Sequence, residues 1–161
     1  MSTQGAPVAL SDSGQPFEEF FAEVWPWAFR LASFLTQDTG AGEDIAQDAL
    51  AAMSQRWETT DRPAAYLRTS IVNASMNWHR HSRTVRAKLP LLAGSDRVEF
   101  HADELADAIA HLPIRQRAVI VLRYHADLSE SEIAAALGCR RGTVKSLASR
   151  ALKALAKEIE Q

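Results

Sequence analysis

The stretch from Leu128 to Leu155 leaves little choice of fold. Ser129 and Glu132 stand three apart, the spacing at which a serine caps a helix and a glutamate returns a hydrogen bond to the cap's own amide. Ile133, Ala134 and Leu137 give a short apolar face, and Gly138 supplies the left-handed backbone that stops a helix. Just beyond it, Val144, Leu147, Ala148, Ala151, Leu152 and Leu155 recur at helical steps, which predicts a longer amphipathic helix. The other side of that helix carries Lys145, Ser146, Ser149, Arg150 and Lys153, with Arg140, Arg141 and Thr143 at its start. A short helix, a glycine turn and a second helix bearing short polar and basic side chains make a helix-turn-helix. The second helix of such a unit enters the major groove by its N-terminal end. Arginine can hold guanine by two hydrogen bonds, and serine, threonine and lysine reach phosphates or bases. These polar residues are the candidate DNA-binding set of the C-terminal part.

The rest of the chain is helical by the same criterion. Phe17, Phe20, Phe21, Val24, Ala28, Leu31 and Leu35 recur at three- and four-residue steps. Pro26 lacks an amide hydrogen and is expected to kink or restart that helix near Trp25. Asp38 to Gly42 reads as a turn. A helix from Glu43 to Trp57 follows, with Ile45, Ala49, Ala52, Met53 and Trp57 inward and Glu43, Asp44, Gln47 and Asp48 outward. The loop Thr59 to Pro63 ends in a proline suited to the first turn of a helix expected to run to Arg83. Its buried stripe is Leu67, Ile71, Ala74 and Trp78, and Thr69, Asn73, Asn77, Arg80 and Arg83 share the opposite side. The periodicity assigns Trp78, like the other tryptophans, to the core rather than to base stacking. Residues 84–103 lose the period and contain Pro90, Gly94 and Ser95, as a flexible linker would. Apolar Leu105, Ile109 and Leu112 open a second helical set, and Pro113 starts a helix with Ala118, Val119, Val121 and Leu122 inward. No alternating strand pattern appears. The fold class is all-α: a flexible tail over 1–15, a helical domain over 16–83, the linker, and a helix-turn-helix domain over 104–161.

Charge is distributed unevenly along this framework. Residues 1–61 hold ten acids against two bases, whereas residues 62–90 hold six bases and no acid. Residues 91–138 return to eight acids against four bases, and residues 139–157 again hold six bases and no acid. A solvated surface normally mixes its signs, so the two acid-free blocks read as two places where phosphates dock. The acidic block before the first of them suits a basic protein partner instead.

Other classes are set aside on simple grounds. No run approaches the ~20 apolar residues of a membrane helix, and the N-terminal residues lack the basic start and apolar run of a secretory signal. Cys139 is the only cysteine, so no disulfide within the chain and no cysteine-rich zinc site is available. His79 and His81 are two apart, which on a helix turns them away from each other and argues against a metal site. No phosphate loop, nucleophile motif or convincingly spaced carboxylate pair is present. The expectation is a cytoplasmic protein that is not an enzyme and needs no cofactor or metal.

Two motifs carry a family resemblance. Glu43-Asp-Ile-Ala-Gln-Asp-Ala-Leu50, followed by Trp57, resembles the second conserved region of bacterial sigma factors. Asp127-Leu-Ser-Glu-Ser-Glu-Ile-Ala-Ala-Ala-Leu-Gly138, Gly142-Thr-Val-Lys-Ser146 and Arg150-Ala151 resemble the fourth region, and Leu112-Pro113 with the Arg-Gln-Arg-Ala-Val run resembles its start. Order and length resemble the extracytoplasmic-function group, over about residues 16–157. The resemblance implies that Asp44, Gln47 and Asp48 bind the β′ clamp helices of core RNA polymerase. It implies that the loop Thr59–Arg62 and the helix after it open and read the −10 promoter element, with Arg62, Asn73, Asn77, His79, Arg80 and Arg83 as the contacting residues. The helix-turn-helix would read the −35 element and bind the β flap, the linker would pass near the RNA exit path, and an anti-sigma factor is the usual regulator.

Two departures from the family pattern are visible. Leu147 stands where arginine is usual, and His79-Arg-His81-Ser-Arg83 stands where arginine runs are common. Histidine titrates near neutrality, so promoter affinity is expected to fall between pH 6 and 8. The rival reading is a stand-alone repressor or activator with an N-terminal sensing or dimerisation domain.

Overall fold

The computed structural model describes residues 14–88 and 104–160, and the chain divides into two units, residues 1–97 and 98–161. Among the described residues the regular elements are seven α-helices and one 3-10 turn, with no strand.

Unit 1 is built from α1 (Phe17–Thr36), α2 (Thr39–Ser54) and α3 (Pro63–Lys88), each packed on the other two, with the 3-10 turn Trp57–Thr59 between α2 and α3. Its core holds Phe20, Val24, Leu31 and Leu35 of α1, Leu50 and Met53 of α2, and Leu67, Ile71 and Val72 of α3, all at most 1% exposed. Full burial of a side chain of this size contributes about 1.5–3 kcal/mol, which is why the three helices hold together.

Several expectations from periodicity need correcting. Pro26 neither ends nor restarts α1, which is assigned as one helix from Phe17 to Thr36. The carbonyl that proline leaves without a donor is that of Ala22, on the exposed side of the helix, where solvent can satisfy it. α2 begins at Thr39 rather than at Glu43. Asp38 caps it by accepting a 2.9 Å hydrogen bond from the Ala41 amide, so the stretch expected to be a turn is the first turn of the helix. Gly42 lies there because α1 passes against it; a Cβ on Gly42 would fall 2.8 Å from the Ser33 backbone nitrogen. In α3 the buried stripe runs Leu67, Ile71, Val72 and Ser75, while Ala74 and Trp78 are only half-buried. Of the four tryptophans only Trp27 is buried; Trp25, Trp57 and Trp78 keep part of their surface in solvent, and Ala52 is exposed. α3 also continues past Arg83 to Lys88, so the first residues assigned to the linker are helical, and residues 89–103 lie outside the described ones.

Unit 2 contains α4 (Glu104–His111), α5 (Ile114–Tyr124), α6 (Glu130–Leu137) and α7 (Arg141–Ile159), with α7 packed on the other three. Ala108, Leu112, Ile120, Ala151 and Leu155 form one buried cluster. Leu105 and Leu152, expected on apolar faces, are 45% exposed. Arg117 is the unexpected core residue. It is 6% exposed, and its Nη1 donates to the carbonyls of Ala110 at 3.0 Å and Leu112 at 3.4 Å, tying the end of α4 to α5. Burial lowers its pKa to about 10, so the group stays charged at neutral pH.

Candidate nucleic-acid and polymerase interfaces

In unit 2 the local sequence dictates the geometry of the interface. Ser129 Oγ accepts from the Glu132 amide at 3.2 Å, and the Ser129 amide donates to Glu132 Oε2 at 2.8 Å, so the capping box is complete. Gly138 ends α6 with φ 61°, its amide donating back to Ala135. Arg140, in extended conformation, precedes α7. The turn thus turns the chain from α6 into α7 in three residues, Gly138 to Arg140. Val144, Ala148, Ala151 and Leu155 are buried beneath. Every candidate contact residue on the outer side, Arg140, Arg141, Thr143, Lys145, Ser146, Ser149, Arg150 and Lys153, is exposed. No acid interrupts residues 133–157. Ser146 Oγ donates within the helix to the Gly142 carbonyl at 3.1 Å, which fixes its rotamer. Leu147 is half-buried, so the position where the family usually has arginine is here part of the packing edge.

Unit 1 carries two contrasting surfaces. On α2, Glu43, Asp44, Gln47 and Asp48 are all exposed, and no base lies on that helix. Gln47 Nε2 donates to Glu43 Oε1 at 3.3 Å, one turn away. On α3, Arg62 at the start and Thr69, Asn73, Asn77 and Arg80 along one side are exposed, and Arg80 Nη2 donates to Asn77 Oδ1. Arg83 lies on the same helix, with its side chain outside the described ones. His79 is placed differently. It is half-buried, and its Nε2 lies 2.6 Å from the Leu35 carbonyl, so that nitrogen carries a proton and ties α3 to the end of α1. His81, two residues on, is exposed.

A cleft of about 790 Å³ lies beside the turn that leads into α3. Phe17, Trp57, Thr60, Asp61 and Pro63 line it together with Gln15, whose Nε2 is buried with no hydrogen-bond partner. Sequence reading missed this cleft, because Gln15 falls in the segment assigned to the flexible tail and carries no periodic signal.

Comparison with known proteins decides between the readings. Residues 20–84 match Sigma-70 region 2, and residues 102–155 match Sigma-70, region 4. The chain belongs to the sigma-70 family. Its region 2 is the three-helix unit and its region 4 the helix-turn-helix unit. The chain is 37% identical over 151 residues to the RNA polymerase sigma-E factor of Streptomyces coelicolor, covering 89% of this chain and 85% of the relative. It is 35% identical to the ECF RNA polymerase sigma factor SigL of Mycobacterium tuberculosis over 152 residues, 86% of this chain and 84% of that one. Among solved structures, the sigma factor RpoE in complex with the anti-sigma factor NepR from Bartonella quintana shares the fold, with a TM-score of 0.69 at 22% identity over 89% of this chain and 96% of that chain. CnrH in complex with the cytosolic domain of CnrY does so at 0.61 and 22%, over 89% and 87%. No helix among the described residues is long and apolar enough to cross a membrane.

Proposed function

We propose that this sigma factor docks on the β′ clamp helices of core RNA polymerase through Asp44, Gln47 and Asp48, reads the −35 element with α7, and opens and reads the −10 element with α3 and the turn before it. Catalysis of RNA synthesis then belongs to the polymerase, and selection of the start site to this chain. The observation that carries this reading is the outer face of α7, exposed and free of acid from Arg140 to Lys153. Such a face presents donors to phosphates and base edges, and no residue of α7 itself sets a carboxylate among them.

The −10 reading rests on different chemistry. Holding a displaced strand calls for polar and basic groups along its backbone and a pocket for an extruded base. Arg62, Asn73, Asn77, Arg80 and Arg83 are of the first kind. The cleft at Trp57 and Phe17 supplies ring surfaces, and the unpaired Gln15 amide supplies a donor, so it suits a base. His79 is assigned a supporting part, since its ring bonds inside the unit, and His81 is the histidine free to meet DNA. An anti-sigma factor is the proposed regulator, supported by the two solved relatives described with such partners or with a cytosolic domain bound.

In vitro transcription with purified core polymerase on a promoter library tests the assignment. Promoter-specific initiation that depends on the added chain is expected, together with weak binding of the chain alone to the same DNA. Tight binding to a palindromic site without polymerase, and no initiation, would favour the stand-alone repressor instead.

A further inference from the structure

One carboxylate is set among the cations of the reading helix. Glu130 opens α6, and its Oε2 lies 3.7 Å from Arg141 Nη2 and 3.9 Å from Lys145 Nζ, while its Oε1 lies 3.7 Å from Arg123 Nη1 on α5. Its side chain is 24% exposed, against 63% for Arg141 and 64% for Lys145. The carboxylate is thus the sheltered partner, and the cations reach over it toward solvent. The separations are those of Coulombic contact rather than direct hydrogen bonds. Arg123 holds the same carboxylate from the other side, so Glu130 is anchored by one helix while it attracts two side chains of another.

We propose that Glu130 is a positioning residue for promoter discrimination, which restrains Arg141 and Lys145 over the first turns of α7 and offsets part of their charge. This rests on the assignment of α7 to the −35 element. Long basic side chains left free bind any phosphate, and that sequence-independent attraction grows with each charge available for counterion release. A tethered cation loses less freedom when it meets a base edge, so the tether favours the matched site. The same carboxylate lowers the field that any duplex feels, which weakens matched and mismatched binding alike, so the discrimination comes from the tether.

The test uses the full chain bound to core polymerase, on a duplex carrying its selected promoter and on a scrambled duplex, across a salt series. Glu130→Gln keeps the shape and removes the charge. Affinity for scrambled DNA should rise by about three- to eightfold near 0.1 M salt, and its slope of log K against log salt should steepen by up to about 0.9, the value for one additional released ion. The ratio of promoter to scrambled affinity should fall, because the freed cations lose their advantage on the promoter alone. Glu130→Asp, which retracts the carboxylate, should move both quantities in the same direction by less, and provides the answer if the glutamine variant folds poorly by circular dichroism. In a Lys145→Gln background the effect of Glu130→Gln should shrink. A parallel change on both duplexes, with their ratio unchanged, would mean an ordinary surface ion pair, and would overturn the proposal. If the unaltered protein itself fails to discriminate its promoter, the −35 assignment falls and this inference with it.

Discussion

Gly42 in α2 faces Ser33 in α1 so closely that a Cβ at position 42 would stand 2.3 Å from the Ser33 Oγ and 2.9 Å from its Cα. The backbone atoms of Ser33 cannot rotate away, so the two helices must separate if the glycine gains a side chain. Gly42→Ala should therefore destabilise region 2 although alanine is the better helix former. Overpacking costs about 1–3 kcal/mol, and the propensity gain returns at most about 1 kcal/mol. All four tryptophans, at positions 25, 27, 57 and 78, lie in unit 1. Tryptophan fluorescence during urea unfolding thus follows this unit selectively, and its midpoint should fall for Gly42→Ala. An unchanged or raised midpoint would contradict the close contact.

The acidic face of α2 can be reversed without touching the core. Asp44 and Asp48 are exposed, and exposed substitutions usually change stability by less than about 0.5 kcal/mol. Asp44→Lys with Asp48→Lys should weaken binding to core polymerase at least tenfold, equivalent to about 1.4 kcal/mol, while the fluorescence midpoint stays put. Fluorescence anisotropy against labelled core polymerase measures this. Equal affinity for the two proteins would remove α2 from the interface.

On α7 the expected effects separate by residue. Lys153 lies three turns from the N-terminal end and is exposed, where a phosphate is the natural partner. Lys153→Ala should weaken promoter and non-promoter DNA alike and lower the salt slope by about 0.9. Arg140→Ala and Arg141→Ala, nearer the end that enters the groove, should instead cost more on the promoter than on other DNA. Electrophoretic mobility shifts of the polymerase complex over a salt series distinguish the two patterns. A uniform loss across all three variants would argue against entry by the N-terminal end.

Gly138 offers a purely conformational test of the turn. Its φ is 61°, and nothing lies within 4 Å of where a Cβ would be placed. Gly138→Ala should cost about 1–2 kcal/mol through the left-handed backbone alone, seen as a lowered thermal midpoint of unit 2 by circular dichroism. Gly138→Asn should cost less, because asparagine tolerates that conformation. Equal effects from alanine and asparagine would point to something other than φ.

Sequence patterning made the helix-turn-helix legible because each of its parts has a local cause. The capping box, the glycine stop and the buried Val144, Ala148, Ala151 and Leu155 all follow from residues within a few positions of one another. Where causes are non-local, patterning failed. Asp38 to Gly42 looks like a turn by composition, yet the two glycines are helical, and Gly42 is required by Ser33 on a different helix. Trp78 fits the apolar period of α3, but Val72 and Ser75 take the buried side because α1 and α2 approach from that direction. The resemblance groups His79 with the DNA-facing residues, while a carbonyl 44 positions earlier bonds its ring inside the unit. Glu130 stands in the sequence as one acid of the Asp127–Gly138 motif, and nothing along the chain links it to Lys145.

Arg117→Ala would strip the Ala110 and Leu112 carbonyls of a charged donor, and hydrogen bonds of that kind are worth about 1.5–3 kcal/mol each. Unit 2 should lose about 2–3 kcal/mol of stability by calorimetry. A loss below about 0.5 kcal/mol, the scale of an ordinary surface change, would show that the carbonyls find other partners.

That same guanidinium has a consequence for how region 4 opens. α4 is eight residues long, too short to persist by itself in water. It is held by an arginine whose charge cannot be left in an apolar surround, and by Leu112 inserted beneath α7. Detachment of α4 would bare that charge and that leucine together, so partial fraying gains little. The amide protons of α4 should then exchange with solvent at nearly the rate of those in the middle of α7, as members of one cooperative block. The first helix of the unit would carry the lifetime of the last.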